Sequence, residues 1–156
     1  MNRTGIGYDS HRLVGGTPLI IGGVHIQSDR GLLGHSDADV LAHAVIDAML
    51  GAVGLGDIGS HFPDTDETYR GANSMELVKH AIGKAREAGY EPEWVDCTVI
   101  CEQVKLAPHI PSMRDCFKDA GLKHINIKAK TNEGMGFVGK GEGIAAIAVC
   151  TMSRLH

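Results

Sequence analysis

At 156 residues and a net charge of −4, the chain has the size of one domain around a single core. Aromatic residues are only 4% and there is no basic run, which excludes base-stacking platforms and a polyanion-binding face, so no nucleic-acid partner is expected. No stretch approaches about 18 consecutive apolar residues, so no membrane partner is expected either.

Residues 3–13 read as a strand interrupted by glycine kinks. Leu19-Ile20-Ile21 and Val24-His25-Ile26 flank Gly22-Gly23, the pattern of a hairpin. Residues 28–36 form a loop ending at Ser36, which has N-cap chemistry for a helix over 37–51. Asp37 and Asp39 fall in its first turn and Gly51 near its stop. Residues 54–66 are a loop rich in Gly, Asp and Pro. A second helix over 73–89 is capped by Asn73 or Ser74, and residues 93–102 read as a strand. A third helix covers 108–121, and strands follow over 123–131 and 143–151. Helices and strands alternate without a linker, giving one α/β layered domain over 1–156.

The chemistry begins at Asp9-Ser10-His11. Strand side chains alternate, so Asp9 and His11 share a side. One carboxylate and two imidazoles with an open fourth position is a catalytic zinc pattern, if His43 joins from its helix. His43 reads otherwise as a satisfied core histidine. Asp39, His43 and Asp47 share a helix face, so either aspartate is a candidate outer partner for the imidazole. His35 and Ser36 just before the helix suit an anion. Asp57, Asp64 and Asp66 read either as solvated turn residues or, for Asp57, as an acceptor for ribose hydroxyls. Lys105 is a surface charge or a phosphate cation. Glu133, after Thr131-Asn132, is a turn residue or a carboxylate for a second divalent metal.

Two motifs fail. Gly134 to Gly141 nearly matches a phosphate-binding P-loop, but position 141 is Gly where a hydroxyl belongs, and a strand follows where a helix is required. Gly5-Ile6-Gly7 lacks the third glycine of a dinucleotide fingerprint. Cys97, Cys101, Cys116 and Cys150 form no C-x-x-C pair and read as free thiols in a reducing compartment. Residues 1–30 show no secretory pattern. A cytoplasmic location is expected, or the plastid stroma if a transit peptide has been removed.

The strings GIGYDSHRL, GLLGHSDADVLAHAVIDAMLGAVGLGDIGSHFPDTD, TVICEQVKLAPHI and INIKAKTNEGMGFVGKGEGIAAIAV closely resemble the 2-C-methyl-D-erythritol 2,4-cyclodiphosphate synthase family over nearly the whole chain. The resemblance implies a two-layer α+β sandwich with a mixed four-stranded sheet and helices on one face. The sheets would face the axis of a homotrimer whose active sites lie between subunits. It implies a cyclising phosphorus–oxygen lyase of the non-mevalonate isoprenoid pathway, acting on a cytidine diphosphate ester of methylerythritol that bears a 2-phosphate. The alternatives are a metallo-phosphohydrolase with a linear product, and a non-catalytic trimeric binder of isoprenoid diphosphates or of a partner protein.

The resemblance also assigns roles. Asp9, His11 and His43 become zinc ligands, and Glu133 the ligand of a Mg²⁺ or Mn²⁺ that bridges substrate phosphates. His35 and Thr131 take transition-state stabilising positions. Ser10 and Ser36 join Asp9, His11 and His35 as substrate contacts on the metal side, while Asp57, Ile58 and Gly59 take ribose and erythritol contacts. The loop of Phe62, Pro63, Asp64, Thr65 and Asp66 surrounds the erythritol. Cys101, Glu102, Gln103, Val104, Lys105, Leu106 and Ala107 form the cytidine-phosphate pocket. Lys130, Asn132, Phe137 and Lys140 complete the substrate contacts. Ser10 stands where the family commonly has Val, with its side chain expected to point away from the metal. Lys140 replaces a common Arg, keeping the charge but losing bidentate phosphate geometry. Asn132 replaces a common Thr or Ser, which leaves the hydroxyl at Thr131.

Overall fold

The computed structural model describes residues 1–156. The strands are β1 (Arg3–Gly15), β2 (Leu19–Ile21), β3 (Val24–Ile26), β4 (Arg30–Leu32), β5 (Tyr90–Ile100), β6 (Ile125–Lys130) and β7 (Gly143–Arg154). The helices are α1 (Val40–Ala52), α2 (Ile58–His61), α3 (Ser74–Glu87), α4 (Ile110–Asp119) and α5 (Gly136–Gly139). The main sheet has five strands in the order β4-β1-β7-β5-β6, not the expected four, and β2-β3 forms the separate hairpin. The extra strand is β4, three residues with Gly31 at the centre, too short to leave an alternating pattern. Only β5 and β6 run parallel; the remaining pairs of the main sheet are antiparallel. The long β1–β7 ladder runs from Arg3 opposite Met152 to Arg12 opposite Gly143. No helix is long and apolar enough to cross a membrane.

Helix α1 lies across β1 and β7, α3 packs on α1 and β5, and α4 packs on β6. Between these layers sits a mostly aliphatic core including Leu41, Val45, Met49, Val95, Val99 and Ile144, with Phe117 among the few aromatic members. Gly5 and Gly7 are no kinks. A Cβ on Gly7 would stand 1.9 Å from the Ala44 carbonyl oxygen, and one on Gly5 would stand 2.1 Å from that of Ala48. With Ala44, Ala48 and Ala52 on its contacting face, α1 rests directly on the strand backbone. The opposite face of the sheet is uncovered. Ile6 is 70% and Tyr8 53% exposed there, beside Val149 and Ile147, their register partners on β7.

The start of α1 differs from expectation. Asp39, not Ser36, is the N-cap, and residues 37–38 lie outside the helix. Asp39 is fully buried and accepts from Gly22 N (2.8 Å), Gly23 N (2.7 Å), Ala42 N (3.0 Å) and Ser74 Oγ (2.7 Å). One carboxylate thereby joins the hairpin turn, α1 and the first residue of α3, and it is not available to His43. Asp39→Ala strands three backbone donors in the interior. The expected cost is about 3 kcal/mol, read as a lower midpoint of urea unfolding.

Candidate functional site

Asp9 and His11 project from β1 toward the layer that holds α1, and His43 comes down from α1 one residue before Ala44. The direct seating of α1 on Gly5 and Gly7 therefore sets the height of His43 above the strand. His11 Nε2 lies 2.9 Å and His43 Nδ1 3.2 Å from Asp9 Oδ2, and the two ring nitrogens are 3.3 Å apart. A tetrahedral metal with ligand bonds near 2.0–2.1 Å separates its donors by about 3.4 Å. The trio fits such an ion with shifts of a few tenths of an ångström, and it is the metal-type cluster of this fold.

The outer nitrogens set the ring orientations. His11 Nδ1 donates to the Leu33 carbonyl at 2.9 Å, and His43 Nε2 meets Ser36 Oγ at 3.1 Å. With the outer nitrogens engaged, the inner ones, Nε2 of His11 and Nδ1 of His43, are those a metal would take in place of the protons shared with Asp9. The partner of His43 is thus Ser36 rather than Asp39 or Asp47; the Asp47 carboxylate accepts from Ile58 N at 3.2 Å and holds α2 in place. Burial opposes the charge on Asp9, yet hydrogen bonds and charge from His11 and His43 hold its carboxyl below the usual range. Burial likewise works against a charged His11, but Asp9 outweighs it and raises that imidazole above its ordinary value. Ser36→Ala is expected to weaken zinc binding about 10- to 100-fold, measured by competition with a chromophoric chelator.

The trio opens into a cleft of about 480 Å³ that is also lined by His35, Ser36, Ile58, Gly59, Pro63 and Asp64. His35 does not stand at a helix N-terminus, because that position belongs to Asp39. Its Nε2 donates to the Asp66 carbonyl at 2.8 Å, which fixes the ring in the cleft wall. Phe62 is buried, with Tyr69 edge-on at 5.4 Å, and forms the floor of the expected loop. Asp57 caps α2, its Oδ1 accepting from Ser60 N at 2.9 Å and Ser60 Oγ at 2.8 Å; these bonds lower its pKa. Asp66 likewise caps a short turn through Thr68 N, and Thr65 does not line the cleft.

A second recess, about 270 Å³, gathers Cys101, Glu102, Val104, Lys105, Leu106, Ala107, Lys130 and Thr131 at the ends of β5 and β6. Gln103 turns away and pairs with Arg30. Ser10 and Phe137 line a third, smaller hollow together with His11 and Arg12, and alternation along β1 sets Ser10 on the face opposite Asp9 and His11. Lys140 is exposed at the end of α5, and Gly143 opens a strand rather than a helix, as the failed P-loop motif requires.

The structure does not bring Thr131 and Glu133 to the metal trio. β1 and β6 are separated by β7 and β5, three strand spacings or about 14 Å. The cleft at the trio and the recess at the ends of β5 and β6 therefore lie apart on the chain, as two candidate half-sites. Sequence reasoning missed Gly34, Tyr69 and Leu77 in the cleft lining, and the Leu33 carbonyl behind His11. Gly34 had a signal: a Cβ there would press on the His11 ring at 3.1 Å, so a glycine next to His35 marks close approach.

The YgbB family profile matches residues 2–153. The chain is 55% identical, over 99% of its length and 92% of the relative's, to 2-C-methyl-D-erythritol 2,4-cyclodiphosphate synthase of Geotalea daltonii. It is also 55% identical to the synthase of the same name from Alkaliphilus oremlandii, over 97% of this chain and 99% of that one. A solved 2C-methyl-D-erythritol-2,4-cyclodiphosphate synthase with CDP bound superposes with a TM-score of 0.87 at 36% identity, covering 97% of this chain and all of the other. The bifunctional IspDF from Campylobacter jejuni gives a TM-score of 0.94 at 41% identity; this chain spans 43% of its length. Sequence match, fold and the Asp9–His11–His43 centre agree: the chain belongs to the YgbB family.

Proposed function

We propose that the chain is a 2-C-methyl-D-erythritol 2,4-cyclodiphosphate synthase. An oxygen of the substrate's 2-phosphate attacks the β-phosphorus, the bond from that phosphorus to the bridging oxygen breaks, and CMP leaves as the cyclic diphosphate closes. The observation that carries this reading is the convergence of three inward-facing metal donors at the head of a cleft open to substrate. A pure binding protein has no need of an open metal site.

No water is activated, so the residues position groups and neutralise charge. Asp9, His11 and His43 would hold a zinc ion, which would supply Lewis-acid chemistry toward a phosphate, and Glu133 would hold a Mg²⁺ or Mn²⁺, which would neutralise phosphate charge. His35, which lines the cleft beside the trio, is the side chain nearest in kind to a phosphate contact on the metal side. Phe62 and Pro63 keep the erythritol side apolar, and Lys105 and Thr131 offer a cation and a hydroxyl to the cytidine phosphate. Phosphorus NMR of the purified protein with the cytidyl substrate tests the reading. CMP plus a cyclic diphosphate, abolished by EDTA and restored by zinc with magnesium, is expected. A linear bisphosphate would mean hydrolysis, and no CMP would mean a binding protein.

The working form is a homotrimer with each site shared by two subunits. The separation of the half-sites supports this, and so does the bare apolar sheet face around Ile6, Tyr8, Ile147 and Val149. His43→Ala subunits remixed in equal amounts with Glu133→Ala subunits should regain about one quarter of the sites by random assembly in a threefold ring. A site built within one chain would regain none.

A further inference from the structure

Glu102 lies in the recess expected to take the cytidine phosphate, yet its oxygens are engaged elsewhere. Oε2 accepts from Asn132 N at 2.9 Å and Oε1 from Gly134 N at 3.0 Å. These two amides bracket Glu133, whose φ of 54° is a left-handed conformation that residues other than glycine seldom adopt. The same loop is stitched internally, Glu133 N donating to Thr131 Oγ1 at 3.3 Å and Asn132 Nδ2 to the Met135 carbonyl at 2.7 Å. Beneath it, Cys101 N donates to the Lys130 carbonyl at 2.9 Å, which extends the parallel β5–β6 pairing and brings Glu102 under the loop.

We infer that Glu102 is a positioning residue that sets the 131–134 loop, and through it the Thr131 hydroxyl and the Glu133 carboxylate, and that it does not recognise the nucleotide. Two physical arguments join the geometry. A carboxylate used as a direct contact for a phosphate-rich substrate meets like charge, whereas one enclosed by backbone donors is partly neutralised before substrate arrives. Backbone N–H groups brought to one side of a turn by a left-handed residue also form an anion-binding concavity. Glu102 fills it, so a substrate phosphate is not captured at the wrong place. The inference rests on the cyclisation reading for its effect on catalysis, but not for the loop geometry.

The test uses the full chain and Glu102→Gln, which keeps the size but turns an NH₂ toward one of the two amide donors. The expected result is a kcat about 10- to 100-fold lower. The Mg²⁺ concentration for half-maximal rate should rise about tenfold with the loss of Glu133 alignment, while the Kd for CMP stays within about twofold. Amide hydrogen exchange at Asn132 and Gly134 should be slow in the wild type and fast in the variant. A raised Kd for CMP with kcat unchanged overturns the inference, as does unchanged exchange at the two amides. If the variant does not fold, wild-type exchange decides: unprotected Asn132 and Gly134 overturn the clamp. Absence of CMP from wild-type protein would sink the cyclisation reading instead and leave the exchange result standing.

Discussion

Replacing His43 by alanine is expected to abolish stoichiometric zinc binding and to lower CMP formation by about 1000-fold. His43 is 8% exposed, and its loss removes one of three donors that lie within 3.3 Å of one another. Two donors and solvent do not hold the ion in the cleft at working concentrations. Besides its place in the trio the side chain gives up its contact to Ser36 Oγ, worth about 1 kcal/mol, so a modest loss of stability accompanies the loss of metal. Metal content by mass spectrometry and product by phosphorus NMR are the readouts. His25→Ala, a histidine of β3 outside the cleft, serves as the control for histidine loss in general. Full zinc retention in His43→Ala would remove this residue from the metal centre.

The second large effect is expected at a residue without a side chain. Gly7→Ala places a methyl 1.9 Å from the Ala44 carbonyl oxygen and 2.7 Å from Ala48 N. Both are helix backbone atoms, which cannot rotate away. Ordinary contact begins near 3.4 Å, so α1 must lift by roughly 1.5 Å at this point. The expected destabilisation is about 3 kcal/mol in urea unfolding. Because His43 precedes Ala44, the lift also withdraws Nδ1 from the trio, and zinc affinity should fall at least about tenfold. Gly15→Ala, where an added methyl meets nothing within 4 Å, should stay within about 0.5 kcal/mol. An intact zinc affinity in Gly7→Ala would show that the helix height does not govern the metal centre.

The metal trio was readable because it combines two period rules. Alternation along β1 aligns Asp9 with His11, and helical periodicity places His43 as a lone imidazole in an apolar helix downstream. The outer partners were not readable. Asp39 and Asp47 were the evident candidates for His43, but Asp39 is engaged by four donors from three segments, and only the packed hairpin and α3 reveal this. Ser36 has cap chemistry by composition, yet Ala38 adopts a φ of 56° and turns the chain so that capping passes to Asp39 while Ser36 swings under His43. The glycines of β1 were read as kinks because a sequence does not tell a bend from a surface left bare for a helix. Strand β4 escaped because three residues make no period. Gathering residues 101–107 with Lys130 and Thr131 needs the parallel β5–β6 pair, a contact between segments about thirty residues apart that local pattern does not encode.

The β1–β7 ladder has a bearing on how this fold is joined to other proteins. Arg3 pairs with Met152, so the two chain ends leave the sheet side by side, while Asp9 pairs with Ala146 six residues farther along. At about 3.4 Å per residue the metal donors sit roughly 20 Å from that exit. A passenger attached at either end therefore hangs from the rim remote from the chemistry and does not obstruct the cleft. In the bifunctional Campylobacter jejuni protein a fold of this kind accounts for 43% of a longer chain. The ladder is compatible with such a join, because the strand that carries Asp9 and His11 keeps its pairing with β7.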